Sequence, residues 1–584
     1  MTLESSVDVL VIGAGPVGLL IAYQVLRAGC SVHIIDKDDK YQSAQYGRAN
    51  AIYARSAELL DQLGLADDIV QQSHFVRESY TYNDKGERVI PGRVWNFVEN
   101  VADTKCALRS VENARRYIEE CIRDSFAALG GKIHDLTECV RLEYTVDPAD
   151  GVMATVKDLR TRTEYTIRSK YLVGADGGQS FVRRYLNVPF EGERTEDQWI
   201  RIDGKVKSNI PTPRAYASIE STKHGNVLWA PLDRGVTRIG YVYTSELRSR
   251  YGAKVTKELA VREAIEAVKP FDLEFERVDW WTLYIIGQRV AATYQPHSGI
   301  VLVGDACHTH SSGAAQGLNT GVADACNLGW KLILVLKGFA KDDLLATYST
   351  ERRAAAQRVI EFDRKISTLM ANKWPEGMER PADKHINQVL ADLFDDAKGY
   401  NTGLGISYEE NLINVQSPIG NACSSVGPGA RVPDLDLLKP GTLEVIRLHA
   451  ATPNRAVIYI LAFVGDPRIT LPSISPSSAA VDNLTQKFAR GLVQPMTVVA
   501  LANNRIGVEE ALGCLPSGRV YYDRRSEAHR RFEVDLRYGA VLVLRPDGYV
   551  GFTAKMGADG VDAVEAYLKG FLIEDTQDGK KSVS

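Results

Sequence analysis

Residues 7–36 read VDVLVIGAGPVGLLIAYQVLRAGCSVHIID. An apolar strand, Val7 to Ile12, runs directly into Gly13-x-Gly15-x-x-Gly18. Helical periodicity follows from Leu19 to Arg27, Gly29 ends that helix, and Ser31 to Ile35 forms a second strand stopping at Asp36. Each glycine has its own task in such a unit. Gly13 permits the tight turn, Gly15 lets a pyrophosphate approach the backbone, and Gly18 lets helix and strand pack closely. The helix start meets phosphates with unpaired N–H groups and the positive end of its dipole. Asp36 stands where a carboxylate accepts ribose hydroxyls. The unit predicts an α/β, Rossmann-like domain that binds a dinucleotide, NAD or FAD. The fingerprint alone leaves both open.

Two further segments share its layout of strand, turn and helix. Residues 171–184, YLVGADGGQSFVRR, end an apolar strand in Gly-Ala-Asp-Gly-Gly, with Asp176 at the turn. Residues 300–319, IVLVGDACHTHSSGAAQGLN, end another in Gly304-Asp305, and a helix is expected over 321–335. Cys307, His308 and His310 crowd the second turn, which raises the question of a metal. Zinc takes ligands from spaced turns with room for a tetrahedron, and a tight strand-to-loop transition does not offer that. The histidines are expected to be satisfied by backbone groups, and no metal is expected.

Together the three segments resemble the single-component (class A) FAD-dependent aromatic hydroxylases. The runs GDACHTHS, AQGLNTG and NLGWKL, with YGRANAIYARSAELLDQLGLAD at 46–67, look like the phenol 2-monooxygenase and 3-hydroxybenzoate hydroxylase branch. The resemblance implies tightly held, non-covalent FAD and reduction by NADPH, with NADH possible. It implies that O2 adds to the reduced flavin as a C4a-hydroperoxide and that one oxygen passes to a phenolic ring. Carried over by motif, the cofactor residues are Gly13, Gly15, Pro16, Val17, Gly18, Asp36, Lys37, Arg48, Asp176, Asp305, Gln316, Gly317, Leu318 and Asn319. Asp305 is implied at the ribityl chain, Asp176 near both flavin and nicotinamide, and Arg48 beside the isoalloxazine.

Between the Asp-Gly and Gly-Asp segments, WIRIDGKVK (199–207), NVLWAPL (226–232), TRIGYVYT (237–244) and VDWWTLYIIGQRVA (278–291) alternate with period two. Such alternation predicts a half-buried antiparallel sheet, and the resemblance implies that phenol binds on it. Trp229, Trp280 and Trp281 are read as core. Tyr284, Tyr241, Arg238 and Asn50 are the candidate catalytic residues, with Gly240 the alternative to Tyr241 in register. Three positions depart from the family. Asn50 replaces an aspartate thought to help deprotonate the phenol, and an amide cannot act as a base. Ser312 replaces a proline, and Ala315 stands where a glycine is expected. The runner-up chemistry is therefore Baeyer–Villiger or dearomatising oxygenation of a related aromatic or polyketide.

At 584 residues, with 45% hydrophobic and 25% charged residues, the chain is an ordinary globular sequence of two or three domains. Its net charge of −4 gives no field for nucleic acid or an anionic membrane. The eight cysteines contain no Cys-x-x-Cys, and no run is long and apolar enough to cross a bilayer. A reduced, cytoplasmic protein follows as the expectation. The expected organisation is a discontinuous FAD domain (1–190 and 291–370), a substrate-binding sheet domain (191–290) and a helical or loop connection (371–426). A C-terminal domain (427–584) opens at GPGARVPDLDL and resembles the thioredoxin-like unit of phenol hydroxylases, which implies a homodimer. Arg545-Pro546-Asp547-Gly548 reads as a turn, not a site.

Overall fold

The computed structural model describes residues 3–39, 49, 51–71, 73–75, 78–95, 109–111, 114–145, 150–311, 313–418, 420, 422–423, 425–500 and 507–575. Its first sheet is built around Leu3–Ile12, which pairs in parallel with Val32–Ile35 on one side and Glu164–Gly174 on the other. Ile133–His134 extends it in parallel beyond Val32–Ile35, and Ile300–Leu302 pairs in parallel with the end of Glu164–Gly174. Val152–Asp158 and Thr137–Tyr144 add an antiparallel flank. Val9, Leu10, Val11, Leu172, Val173 and Ile300 are all buried. Burial on both faces explains why these strands read as continuous apolar runs. Ile12 lies opposite Gly174, and Gly174 opposite Leu302. Three parallel strands therefore end at one level, each in a glycine turn.

The helices Pro16–Arg27 and Gln316–Leu336 pack against each other beside this sheet. Gln24 Nε2 donates to the Ala325 carbonyl at 3.1 Å. A side chain at Gly329 would put its Cβ 2.4 Å from Gln24 Oε1, so the amide fits only because position 329 is bare.

The second sheet runs His308–Thr309, Leu273–Ala291, Phe190–Ser208, Val236–Tyr243, Gly225–Pro231, Tyr216–Ser221, Ser79–Tyr82 and Arg88–Val89. It is antiparallel except where Tyr216–Ser221 meets Ser79–Tyr82. Its last two strands come from residues 79–89, so the sheet is not confined to the expected 191–290 segment. One face carries Ile200, Ile202, Ile239, Tyr241 and Tyr243 into a core shared with Ala260, Ala264 and Ala267 of the helix Lys257–Ala267. By alternation the other face presents Trp199, Arg201, Asp203, Arg238, Gly240 and Val242.

The third sheet, from residues 436–555, joins Ile458–Phe463 in parallel to Val493–Val499 and antiparallel to Ala540–Leu544, which pairs with Val550–Lys555. The helices Pro467–Thr485 and Ala558–Phe571 pack together. Among the described residues no helix is long and apolar enough to cross a membrane.

The third sheet docks on the first unit through buried charge. Arg545 holds Glu351 through Nη1 (2.6 Å) and Nη2 (2.9 Å), and Asp547 through Nε (3.0 Å) and Nη2 (2.6 Å). Lys331 Nζ reaches the same Glu351 at 2.9 Å, and Asn327 and Asn414 each donate to it at 2.7 Å. Arg545 also lies over the rings of Trp330, Tyr408 and Tyr549. The Arg545–Gly548 stretch is a turn, as the sequence indicates, closed by Gly548 N–H donating to the Arg545 carbonyl at 3.0 Å. Its side chains, however, are an anchor between units.

Burial opposes ionisation of Glu351, yet Arg545 and Lys331 hold its carboxyl well below the ordinary value of 4.5. A carboxyl lowered on folding contributes stability above that value, and the contribution is lost as pH falls. Glu351→Gln, which leaves buried Lys331 without its ion-pair partner and Arg545 with Asp547 alone, is expected to cost roughly 3–5 kcal/mol at neutral pH. The gap to wild type should narrow below about pH 4.5. Urea titrations at both pH values check this, and equal midpoints at neutral pH would show that the network is not stabilising.

Candidate functional site

The glycine turn is fixed by close approach. Gly13 has φ +105°, and a Cβ there would sit 2.4 Å from the Ala175 carbonyl oxygen. At Gly18 it would sit 2.0 Å from the Gly13 oxygen. Val17 packs beneath Gly304 and Gly321, where added Cβ atoms would meet it at 3.2 and 2.6 Å. Gly15 is the extended N-cap of the first helix, with Pro16 following and no side chain capping the end. The N–H groups of the first turn are thus left for a ligand. Asp36 Oδ2 accepts the Ala14 N–H at 2.7 Å and Oδ1 the Asp38 N–H at 2.9 Å. Its carboxylate braces the turn, and Lys37 beside it is exposed.

The other two turns meet this one. Asp176 Oδ2 accepts the Val182 N–H at 3.1 Å, while its Oδ1 is buried without a hydrogen-bond partner. Burial raises the Asp176 carboxyl above its ordinary value. Arg183 ties the Asp-Gly and Gly-Asp segments together, donating to Ala306 O and Gly178 O at 2.8 Å each. Asp305 is exposed between buried Gly304 and Ala306, with no hydrogen bond or ion pair to any described residue.

Cys307 is fully buried, which pushes its thiol well up. His310 Nδ1 donates to the Ser311 carbonyl at 2.8 Å, the backbone partner expected for it. His308 differs from expectation. Its Nε2 lies 2.7 Å from Asp324 Oδ2, a carboxylate that also takes Arg352 Nε at 2.7 Å and the Gly304 N–H at 3.2 Å. Against the effect of burial, His308 and Arg352 hold the Asp324 carboxyl low. The imidazole is thus one arm of a buried hydrogen-bonded cluster around the Asp324–Arg352 ion pair, which pins the Gly-Asp turn to two helices. Among the described residues no group of three or more His, Cys, Asp or Glu is arranged to hold a metal.

The start of Gln316–Leu336 forms the other end of the site. Ser311 donates its N–H to Asp363 at 2.7 Å, and its hydroxyl donates to the same carboxylate. Trp95 Nε1 donates to Gly313 O at 3.0 Å. Ala315 then takes the left-handed conformation, φ +51° and ψ +32°. Asn319 Oδ1 accepts the Tyr53 N–H at 2.8 Å, and Nδ2 donates to Ala315 O at 2.9 Å and Ala51 O at 3.2 Å. Gln316 Nε2 donates to Asn401 O at 2.7 Å. These side chains brace the loop, and no side chain caps the helix. What the helix start offers a ligand is the backbone N–H of half-buried Gly317 and Leu318. Arg48, Asn50 and Ser312 lie outside the described residues.

On the sheet, Tyr284 is half-buried opposite Trp199 and packs in one apolar cluster with Tyr53, Ala314, Ala315, Leu369 and Met370. Tyr241 requires correction. It is fully buried on the far face, its hydroxyl donating to Ala260 O at 2.8 Å, and burial pushes that phenol far up. Gly240 takes the site-facing position instead. Arg238 faces the site side but is clamped by Asp203, Nε to Oδ1 and Nη2 to Oδ2 both at 2.8 Å. Such a buried two-point pair holds the guanidinium firmly in place. The sequence reading missed Arg201, buried over the rings of Trp199 (5.0 Å) and Tyr284 (5.9 Å). A Cβ at position 240 would fall 2.0 Å from its Nη1. A glycine inside a strand was the available signal, since it marks a close approach. Trp229 is core, as expected, whereas Trp280 and Trp281 are half-buried, Trp280 lying beneath Arg238.

Comparison with known proteins agrees with this geometry. The chain belongs to the FAD binding domain family, whose description matches residues 6–363, and residues 507–576 match the phenol hydroxylase C-terminal dimerisation domain. It is 29% identical to phenol 2-monooxygenase fsqG of Aspergillus fumigatus, covering 94% of each chain. It is 27% identical to 3-hydroxybenzoate 4-monooxygenase of Comamonas testosteroni, over 97% of this chain and 95% of that one. The flavin-dependent monooxygenase PieE, solved with FAD and substrate, superposes with a TM-score of 0.77 at 20% identity, covering 97% of this chain and all of that one. The protein is an FAD-dependent monooxygenase with the mixed α/β fold of the aromatic hydroxylases. FAD fits the residues present: a glycine turn too tight for a Cβ, two uncapped helix starts, an exposed Asp305 and the unpartnered Asp176 Oδ1.

Two substitutions test the backbone argument. Gly13→Ala is expected to purify largely without FAD, checked by flavin absorbance per protein. Ala315→Gly should gain about 1 kcal/mol by relieving a left-handed alanine. An unchanged or lower Tm would refute that strain.

Proposed function

We propose that the enzyme hydroxylates a phenolic ring bound on the site-facing side of the second sheet, using NADPH, or NADH in its place, and O2. The position of Tyr284 carries this reading. Of the three candidate sheet residues it alone packs against Ala314 and Ala315 at the start of the flavin-facing helix. The two relatives named for phenol and 3-hydroxybenzoate oxidation support the same ring class.

FAD, when bound, activates O2 and supplies the oxygen atom that enters the ring. Gly13, Gly15, Pro16, Val17 and Gly18 would seat its pyrophosphate, Asp36 and Lys37 its adenosine half, and Asp305 its ribityl hydroxyls. Asp176 would stand near both flavin and nicotinamide. The N–H groups of Gly317 and Leu318, braced by Gln316 and Asn319, would meet the ring system, with Arg48 beside it. Trp199, Tyr284 and Met370 would form apolar walls that exclude water from the reacting ring. Arg201 would give a positive field beside it, favouring an ionised hydroxyl. Asn50 would hydrogen-bond the substrate without removing its proton.

The proposed organisation is the discontinuous flavin unit (1–190 and 291–370), a sheet unit (191–290) joined by the strands at 79–89, a connection (371–426) and a thioredoxin-like unit (427–584). Strand order in the last unit supports its likeness. Val493–Val499, Ile458–Phe463, Ala540–Leu544 and Val550–Lys555 lie side by side in that order, the first two parallel and the rest antiparallel. Lacking Cys-x-x-Cys, it would serve assembly, and Leu515 (71% exposed) and Tyr538 (57% exposed) offer apolar surface to a second copy.

Anaerobic stopped-flow reduction by NADPH across substituted phenols and hydroxybenzoates tests the assignment. One compound should accelerate flavin bleaching many-fold. Equal rates with and without every aromatic would discard it and direct attention to oxygen insertion at ketones. Asp305→Ala should lose most of its flavin on purification, and full retention would remove the ribityl role.

A further inference from the structure

Behind the start of the flavin-facing helix lies a small cavity of about 20 Å³, lined in part by Tyr53, Ser56, Gln316, Asn319, Asn401 and Tyr549. It sits at the meeting of the first unit with the C-terminal turn. Asn401 is 1% exposed, and neither its Oδ1 nor its Nδ2 has a hydrogen-bond partner. Its backbone is satisfied: the N–H donates to Ala397 O at 2.8 Å and the carbonyl accepts Gln316 Nε2 at 2.7 Å. The side-chain amide alone is left over. A buried amide without partners costs roughly 1–3 kcal/mol at each orphaned group, and native interiors seldom carry two on one side chain.

A second cavity, of about 30 Å³, adjoins the first, with Ala355 and Ile406 on the wall of both. It is lined by Tyr400, Ser407, Tyr408 and Glu409. Arg352 Nη1 donates to Tyr408 Oη at 3.1 Å where the two spaces meet. Glu409 and Arg358, at its outer side, have side chains 82% and 52% exposed. A water molecule needs at least about 10–15 Å³ and two to four polar partners. Both spaces meet the first condition, and Asn401, Ser56, Gln316 and Arg352 meet the second.

We propose that the inner cavity is an internal hydration site, its water held by both ends of the Asn401 amide. Through the outer cavity it exchanges with bulk solvent. The residues bracing the flavin-facing helix thereby gain a solvent route from the C-terminal side. This holds whatever the enzyme oxidises.

Three measurements decide it. A crystal structure of the FAD-loaded wild type at about 1.5 Å should show an ordered water within hydrogen-bond distance of Asn401, and a dry cavity overturns the proposal. Asn401→Leu separates the cases by sign. A water-bridged amide predicts a Tm lower by several degrees, because the water's other partners are stranded. A dry cavity predicts a higher Tm, because two orphaned polar groups are removed. The wild-type map stands even where that variant does not fold. Ile406→Trp, which plugs the junction, should slow amide hydrogen exchange in residues 316–320 several-fold in the loaded enzyme. Unchanged exchange would eliminate the solvent route.

Discussion

Everything in the flavin-facing part of this molecule depends on one backbone approach, that of Gly13 to the carbonyl of Ala175. No side chain can be added at Gly13 without entering the space of that oxygen, so the two strand ends can touch only there. Their touching sets the level at which Leu302 also ends. Three turns from distant parts of the chain therefore converge at the carboxyl ends of parallel strands, where ligands bind in open α/β sheets. The buried cluster of Asp324, Arg352 and His308 then fixes the third turn, and Arg183 stitches the second to it. The site is rigid because its backbone, more than its side chains, is over-determined.

The second sheet works by a different rule, the strict alternation of a strand. A shift by one residue exchanges every side chain between faces. Tyr241 and Gly240 differ by one position, and that decides between a core phenol tied to helix Lys257–Ala267 and a gap that lets Arg201 lie flat against the sheet. The site-facing side then holds two arginines, one clamped by Asp203 and one between aromatic rings. Electrostatics there is set by register, not by the number of charged residues in the segment.

These contrasts explain how much was legible beforehand. The glycine fingerprint, the Asp-Gly turn and the Gly-Asp turn each carry their meaning within a dozen residues, so the flavin-domain fold and the identity of the cofactor could be read directly. The positive φ at Ala315 was likewise signalled by an alanine where a glycine was expected. Interactions between distant residues were not legible. Nothing near His308 announces Asp324, and nothing near Asp203 announces Arg238. The helix Pro467–Thr485 contains Pro472 and Pro476, which argue locally for a loop, and packing against Ala558–Phe571 and the strand Val493–Val499 secures it. The Arg545–Gly548 turn was read correctly as backbone, while its buried ions depend on Glu351, nearly two hundred residues earlier.

That last pairing bears on how such chains can be recombined. Lys331 and Glu351 belong to the flavin unit, and Arg545 and Asp547 to the C-terminal one, all four side chains excluded from solvent. Cutting the chain between the units would expose or strand both halves of the cluster. A C-terminal unit grafted from a relative must therefore bring an arginine and an aspartate at the same two places. Compatibility between the halves of chimeric enzymes built on this scaffold is accordingly a matter of matched charge at one buried turn, before any question of surface fit arises.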